Sequence, residues 1–512
     1  MRLAELVKDV GLESSAPVAD VTVAGITDDS RSIAAGDVFI AVAGAASDGH
    51  EHAQAAVAAG AAAVLAERPL PQLGVPVVVV RDLKRHRSAL ASKVFDQPSR
   101  ALTCVGVTGT NGKTSIASFV AELADALGER AGYMGTIGWG EVGHLASSSL
   151  TTESAITIQR RLAGFRESGL TWAVLEVSSH AMDQHRVDAV VFDYAVFSNL
   201  SRDHLDYHGD IETYGAAKAR LFELPALKAA VVNVDDAFGR DLVDRLGADL
   251  PVLTYGEEAP QHGAGNAAAH TVGHVSWQNL RFDPFGVSGE FITPWGSARF
   301  ELPLYGRFSV ANAAAALAVL CQAGAQGGGA FELTDVVAAL GRIRSVPGRM
   351  EFFPGRPTVV VDYAHTPDAL EKMLTGIRPH VAGRVFVVCG CGGDRDKGKR
   401  PLMARAACRN ADRVWLTSDN PRNEDPEAII HDMLPGVPDG AAVEIVVDRR
   451  SAILAAVDAA AATDVVVVAG KGHEDYQETR GRREPFSDRE IAAMLTGRAD
   501  KPAVENPSCC SG

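Results

Sequence analysis

Short apolar runs alternate along this chain with stretches of helical length and spacing, an order that builds parallel sheets covered by helices. The first hundred residues hold short strand signals, an Ala-rich helical stretch near residues 52–59, and a Val-rich strand over 75–80. Gln97-Pro98-Ser99 then reads as a linker. From Ala101 the order becomes strand, Gly-rich turn and helix, and further strands fall near 172–177, 194–198 and 229–234. This alternation predicts a parallel, doubly wound sheet. Alternating apolar positions over about 251–302 fit antiparallel strands, and an Ala-rich helix over 310–321 follows. Residues 324–329 read as a Gly-rich loop, and Arg344-Ser345-Val346-Pro347-Gly348 as a second boundary. Beyond it lie four buried-strand runs, at 358–361, 385–388, 414–417 and 465–469, each followed at once by polar residues. Open α/β sheets bind their ligands at those carboxyl ends.

The length of 512 residues suggests about three domains. With 46% hydrophobic and 22% charged residues, the chain has enough apolar material for several cores. A formal charge of -15 argues against general attraction to nucleic acid or anionic membrane, both of which need a basic surface. Seven cysteines, at 104, 321, 389, 391, 408, 509 and 510, show no CxxC pair, and an odd number in a long chain fits a reducing compartment. The opening residues lack a secretory apolar core and no apolar run reaches the ~18 residues of a membrane span, so a cytoplasmic protein is expected.

Thr108-Gly109-Thr110-Asn111-Gly112-Lys113-Thr114 stands between a strand and a helix expected over 115–127. Glycines there let backbone N–H groups face phosphate oxygens, the helix N-terminus adds a favourable dipole, Lys113 supplies charge and the Thr114 hydroxyl can hold magnesium. The strict GxxxxGK[ST] pattern is not met, because Val107 occupies its first Gly position. Glu176 closes a strand in Glu176-Val177-Ser178-Ser179-His180, within reach of a cation held by the loop. Asn199-Leu200-Ser201-Arg202-Asp203-His204-Leu205-Asp206-Tyr207-His208-Gly209 follows the next strand; Asp206 and His208 suit turn and capping roles, and His204 metal binding.

These motifs, with Lys218 on the following helix, resemble the Mur ligase family, whose relatives include the folylpolyglutamate synthases, and the likeness runs essentially the whole length. The resemblance implies an α/β chain of three domains: an N-terminal uridine-nucleotide-binding α/β domain (1–99), a central P-loop ATPase with a parallel doubly wound sheet (100–343), and a C-terminal Rossmann-like α/β domain (344–512). It implies an ATP- and Mg2+-dependent ligase, expected as a monomer, that forms an acyl phosphate. Within the family the chain is similar to members that add the third residue to UDP-N-acetylmuramoyl-L-alanyl-D-glutamate.

By the same resemblance, Lys113, Glu176, His204 and Lys218 are catalytic, and Thr114, Glu176, His204 and Lys218 as a carbamate hold metal. Without the resemblance, Lys218 passes as an ordinary surface lysine. ATP falls to Gly109, Thr110, Asn111, Gly112, Lys113, Thr114, Ser115, Asn312, Arg349, Asp362 and His365. Ser30, within Asp29-Ser30-Arg31, is expected at the uridine nucleotide, and Thr151, Thr152, Ser178, Gln184 and Arg186 at the muramoyl dipeptide. Asp419-Asn420-Pro421-Arg422 resembles the signature of members taking meso-diaminopimelate, with Arg395, Gly470 and Glu474 completing that pocket. Physical reasoning supports this assignment, since an Arg fork can bind the second carboxylate that lysine lacks. Lysine or ornithine, or a folate-type polyglutamate ligase, are the competing readings. Read alone, the basic loop around Arg395 is a solvated charge cluster. Two positions depart from the family pattern: Ser309 stands where Asn often follows the Phe, and Leu150 where Asn often precedes Thr151.

Overall fold

A computed structural model describes all residues except 13–17, 20, 45–46, 71–72, 248, 259–270, 328, 330 and 498–512. Cys509 and Cys510 lie outside the described residues. Among those described, the strands form three large sheets and a hairpin. Four parallel strands make the N-terminal sheet, in the order β1 (Gly25–Thr27), β2 (Asp37–Ala41), β3 (Ala63–Ala66) and β4 (Val77–Val79). The Ala-rich stretch is a 3₁₀ turn, Gly49–His52, running into the helix Ala53–Ala58. Helices Leu3–Asp9 and Leu83–Val94, which the apolar pattern did not announce, pack on the same core.

The middle sheet follows the order β15-β14-β13-β12-β11-β10-β5-β9-β6-β7-β8. Its strands are β5 (Thr103–Thr108), β6 (Ala131–Gly135), β7 (Gly138–Glu141), β8 (His144–Ala146), β9 (Trp172–Glu176), β10 (Tyr194–Phe197), β11 (Ala229–Asn233), β12 (Val252–Tyr255), β13 (Thr271–Asp283), β14 (Gly286–Thr293) and β15 (Gly296–Leu302). From β13 to β6 the pairing is parallel, and both flanks are antiparallel. The interval after Pro251 is therefore only partly the antiparallel unit expected. β12 and β13 extend the parallel sheet before β13, β14 and β15 turn back on one another.

The C-terminal sheet runs β16-β17-β21-β18-β19-β20. Its members are β16 (Glu351–Phe353), β17 (Thr358–Asp362), β18 (Val385–Cys389), β19 (Arg413–Leu416), β20 (Val443–Ile445) and β21 (Val465–Ala469), parallel except at β16. Val385, Val387 and Cys389 enter one core while Phe386 and Val388 enter the other. A strand covered on both faces cannot spare alternate positions for polar residues, which is why these strands are continuous apolar runs. The hairpin β22 (Tyr476–Thr479) and β23 (Arg482–Pro485) follows.

Two local expectations need correction. The Ala-rich helix spans Arg307–Ala325, so Gly324 is helical, not part of the loop. This helix is long and apolar enough for a membrane span by composition, but 72% of that window is buried inside the protein. Its small side chains let it press on the helix Lys113–Ala126 and on the sheet, so it is a core element. Finally, Gln97-Pro98-Ser99 is no loose linker: Pro98 and Ser99 are buried, and the Ser99 hydroxyl accepts the Val191 N–H at 3.1 Å.

Candidate functional site

The site grows from the carboxyl ends of the adjacent strands β10, β5 and β9. After Thr108 the chain turns through Gly109 (φ +142°) and Gly112 (φ +87°) into the helix Lys113–Ala126. A side chain at Gly112 would stand 2.8 Å from Asn312 Oδ1, so the absent Cβ lets the Ala-rich helix lean on the loop. From the end of β10, Asn199 fixes the loop: its carbonyl accepts Thr110 N–H at 2.7 Å and its Oδ1 accepts Asn111 N–H at 3.0 Å. Lys113 Nζ donates to the carbonyls of Gly109 and Thr110 at 2.9 and 2.8 Å. Burial lowers its pKa against the opposing pull of Glu176 and Asp203.

Glu176, almost wholly buried at the end of β9, accepts from four hydroxyl or amide groups. Thr114 Oγ1 donates to Oε2 at 3.0 Å, Thr136 donates through N–H at 2.8 Å and through its hydroxyl at 3.1 Å, and the Tyr133 hydroxyl donates to Oε1. Among the described residues no group of three or more His, Cys, Asp or Glu converges to cage a metal. A magnesium ion between Thr114 and Glu176 needs no cage, because it takes most of its ligands from phosphate and water. The paired hydroxyl and carboxylate therefore fit that ion.

Lys218 is buried, contrary to its reading as a surface lysine. The helix Ile211–Ala219, capped by Asp210 accepting Thr213 N–H at 2.7 Å, turns it inward beneath the phosphate loop. Its Nζ donates to Gly109 O at 2.7 Å and lies 4.3 Å from the centre of the Tyr214 ring. Burial, then the Lys113 ammonium, pushes its pKa well below the usual lysine value. His204 lies near the same tyrosine, with its ring centre 6.1 Å from that of Tyr214 and 4.9 Å from that of His180. Desolvation lowers the pKa of both imidazoles, that of His180 to about 4. His208 is buried with Nε2 2.9 Å from the Ser179 hydroxyl, and so packs against this cluster instead of only closing a turn.

The expected dipeptide residues form a connected patch beside Glu176. Thr152 Oγ1 donates to Glu176 O at 2.8 Å and accepts Ser178 N–H at 3.0 Å, and Arg186 donates to Thr152 O and Gln184 Oε1, both at 2.6 Å. The Thr151 and Thr136 hydroxyl oxygens lie 3.1 Å apart, and since Thr136 donates its one proton to Glu176, Thr151 is the donor between them. Leu150 is 46% exposed and lines nothing here. Ser30 sits apart on the 3₁₀ turn Ser30–Ser32 of the N-terminal domain, between the paired Asp29 and Arg31.

A cavity of about 530 Å³ runs between the phosphate loop and the C-terminal domain, within the usual range for small-molecule sites. Its lining includes Gly112, Ser115, Asn312, Arg349, Asp362 and His365. Arg349 Nη2 donates to Thr114 Oγ1 at 3.3 Å and its guanidinium lies 4.2 Å from the Tyr363 ring centre. Asp362, its pKa raised by burial, accepts Met350 N–H at 2.8 Å and Ala364 N–H at 2.7 Å. His365 Nδ1 lies 2.9 Å from Tyr363 O, and burial lowers its pKa. Ser309 also lines the cavity, with its hydroxyl turned back to Tyr305 O at 2.7 Å. Sequence reading missed Tyr133, Thr136 and Tyr363. Thr136 follows a strand and was findable on that ground, whereas Tyr133 sits within an apolar strand and gives no sign of its buried hydroxyl contact.

The remaining expected residues gather over the ends of β18, β19 and β21. Asn420 Nδ2 donates to Glu474 Oε2 at 2.8 Å while Lys471 Nζ donates to both Asn420 Oδ1 and Glu474 Oε2 at 3.0 Å. Arg422, in the left-handed region at φ +50°, donates to Gly393 O at 2.8 Å. A Cβ on Gly392 would stand 2.9 Å from Arg422 Nη1 and 3.9 Å from Arg395 Cγ, so the two arginines flank one glycine. A Cβ on Gly470 (φ +118°) would stand 2.5 Å from Asp419 Oδ2. The basic loop is only partly solvated: the Arg400 side chain is buried and paired with Glu424 and Asp432, both at 2.8 Å.

Comparison with known proteins adds three matches to this geometry. The Mur ligase middle domain matches residues 107–320, the Mur ligase glutamate ligase domain 348–472, and the Mur ligase family catalytic domain 22–92. The chain is 46% identical over 491 residues to the UDP-N-acetylmuramoyl-L-alanyl-D-glutamate--2,6-diaminopimelate ligase of Chromobacterium violaceum, covering 93% of this chain and 94% of that one. It is 44% identical over 489 residues to the ligase of the same name from Pseudomonas aeruginosa, covering 94% and 97%. A solved structure of a ligase of that name superposes with a TM-score of 0.67 at 37% identity, covering 97% of this chain and 99% of that one.

Proposed function

The chain belongs to the Mur ligase family, and from that premise we propose that it joins meso-2,6-diaminopimelate to the D-glutamyl side-chain carboxylate of UDP-N-acetylmuramoyl-L-alanyl-D-glutamate, with ATP as the energy source, in peptidoglycan precursor synthesis. One observation carries the chemistry. The phosphate loop after β5 and the Thr152–Ser178–Arg186 patch after β9 lie on neighbouring strand ends with Glu176 between them. A triphosphate tail on the first and a peptide acid on the second would meet above the sheet.

In the first step a carboxylate oxygen of the glutamyl side chain attacks the γ-phosphorus, the bond to the β-phosphate oxygen breaks, and ADP leaves. Lys113 and Arg349 neutralise the charge on the phosphate oxygens, and the loop N–H groups fix their positions. Bound magnesium, held by Thr114 and Glu176, would supply further charge neutralisation. In the second step the neutral amine attacks the acyl phosphate carbonyl, and the tetrahedral adduct breaks its bond to the phosphate oxygen while the nitrogen gives its extra proton to the departing phosphate, leaving the amide. The covering C-terminal domain excludes the water that would otherwise hydrolyse the acyl phosphate.

Lys218 fits a carbamate because burial and Lys113 favour its neutral amine, the form that adds carbon dioxide. As an anion near His204 it would hold a second cation instead of repelling it. Asp419, Asn420, Pro421, Arg422, Arg395, Gly470 and Glu474 form the amino-acid pocket in this reading, with Arg422 and Arg395 facing the carboxylate that distinguishes diaminopimelate from lysine. Ser30 takes the uridine end. The domains are assigned as 1–99, 100–343 and 344–512, and the protein as a cytoplasmic monomer.

Purified protein with ATP, magnesium and the nucleotide dipeptide should release ADP with meso-diaminopimelate and far more slowly with lysine or ornithine. Arg422→Ala should lower kcat/KM for diaminopimelate by roughly 10- to 100-fold, the weight of hydrogen bonds to a charged group. Preferential turnover of lysine by the unaltered protein would overturn the assignment.

A further inference from the structure

We infer that the hairpin β22–β23 is the element that sets amino-acid specificity, with Gln477 as its positioning residue; the inference rests on the amino-acid pocket proposed above. Hairpin and pocket are joined by the backbone of the Asp419-Asn420-Pro421-Arg422 segment. Gln477 Nε2 donates to Asp419 O at 2.6 Å and to Ser418 Oγ at 3.2 Å. Glu478 N–H donates to Asn420 Oδ1 at 2.9 Å. Arg422 N–H donates to Glu478 O at 2.9 Å, and Arg480 N–H returns to Arg422 O at 2.5 Å. Arg422 thereby pairs with Thr479 as an extra bridge on the outer edge of the hairpin.

Two consequences follow from chemistry. Arg422 is a non-glycine residue at φ +50°, a backbone state that is unfavourable for a side-chain-bearing residue and persists only where neighbours enforce it. The hairpin bonds on both sides of its peptide units supply that enforcement and aim the guanidinium at the Gly392-Gly393 loop. Asn420 has its amide orientation fixed as well: Oδ1 faces two donors, Lys471 Nζ and Glu478 N–H, leaving Nδ2 to hold Glu474 Oε2. Asn420 therefore orients Glu474, and the hairpin orients Asn420. Gln477 belongs to neither the nucleotide cavity nor the dipeptide patch, so its removal should be felt at the amino-acid site alone.

The test uses full-length protein carrying Gln477→Glu, which keeps the shape and removes the donor, and separately Gln477→Ala. With saturating ATP and nucleotide dipeptide, both should raise KM for meso-diaminopimelate by about tenfold, with kcat, the ATP KM and the melting temperature little changed. The ratio of diaminopimelate to lysine turnover should fall with them. A diaminopimelate KM within twofold of the unaltered protein in both variants would overturn the inference, as would equal rises in the KM for ATP. Failure of the unaltered protein to use diaminopimelate would instead overturn the proposed function, so the two failures are distinguishable.

Discussion

Lys218 and His473 are two basic side chains whose surroundings favour their neutral forms. For Lys218, burial and the Lys113 charge favour the free amine, and its neighbours Tyr214 and Gly109 leave it under the phosphate loop. Lys218→Ala should lower kcat on the order of 100-fold, as removal of a charge-stabilising group does. Added acetate or formate should restore part of the rate by supplying the missing anion. Steady-state kinetics with and without the acid check this, and full activity of the variant would contradict it. For His473, burial and then Arg349 and Arg489 hold the imidazole at about 4, below its ordinary 6.5. The unfolded chain therefore takes up this proton at a higher pH than the native one. Its contribution to stability is complete above about 6.5 and is lost as the pH falls toward 4. His473→Gln should accordingly lose less melting temperature than the unaltered protein between about pH 7 and about pH 5. Equal losses in the two proteins would refute this reading.

Elements were legible where burial is two-sided. The runs that became β5, β9, β10, β17, β18, β19 and β21 are apolar because both faces are covered, so their positions and the polar residues at their ends could be read directly. The helix Leu83–Val94 was not legible, since its buried face mixes Leu83, Ser88, Leu90 and Ala91 among charged residues. The end of the Ala-rich helix was misread because Gly324 suggested a break, but a small residue there lets the helix pass close to Phe331. Small residues also govern the phosphate loop. Gly112→Ala would place a methyl group against Asn312 Oδ1 at a φ of +87°. It should raise the ATP KM by about tenfold or more, at a stability cost of about 1–2 kcal/mol, because strain and displacement of the loop coincide. Nucleotide titration and thermal melts of the variant check both figures; ATP affinity unchanged within twofold would count against the role given to this close approach.

At the scale of the whole molecule, the site belongs to no single domain. Arg349 reaches Thr114, and Asn111 Nδ2 donates to Asp368 at 3.3 Å, so the middle and C-terminal domains share the cavity wall. Such pairings link residues more than two hundred positions apart, and no local pattern predicts them. The motifs with a spacing of their own, the phosphate loop and the residues after β9 and β10, were readable without the fold. Tyr133 and Tyr363, which carry no such local signal, became visible only when distant strands were brought together. The central claim is that ATP and the peptide acid meet above one sheet and that phosphate passes to the acid before the amine attacks. Turnover of nucleotide dipeptide carrying ¹⁸O in the D-glutamyl side-chain carboxylate tests this most directly. The account predicts one labelled oxygen in the inorganic phosphate released. Unlabelled phosphate, or label found in AMP, would contradict it.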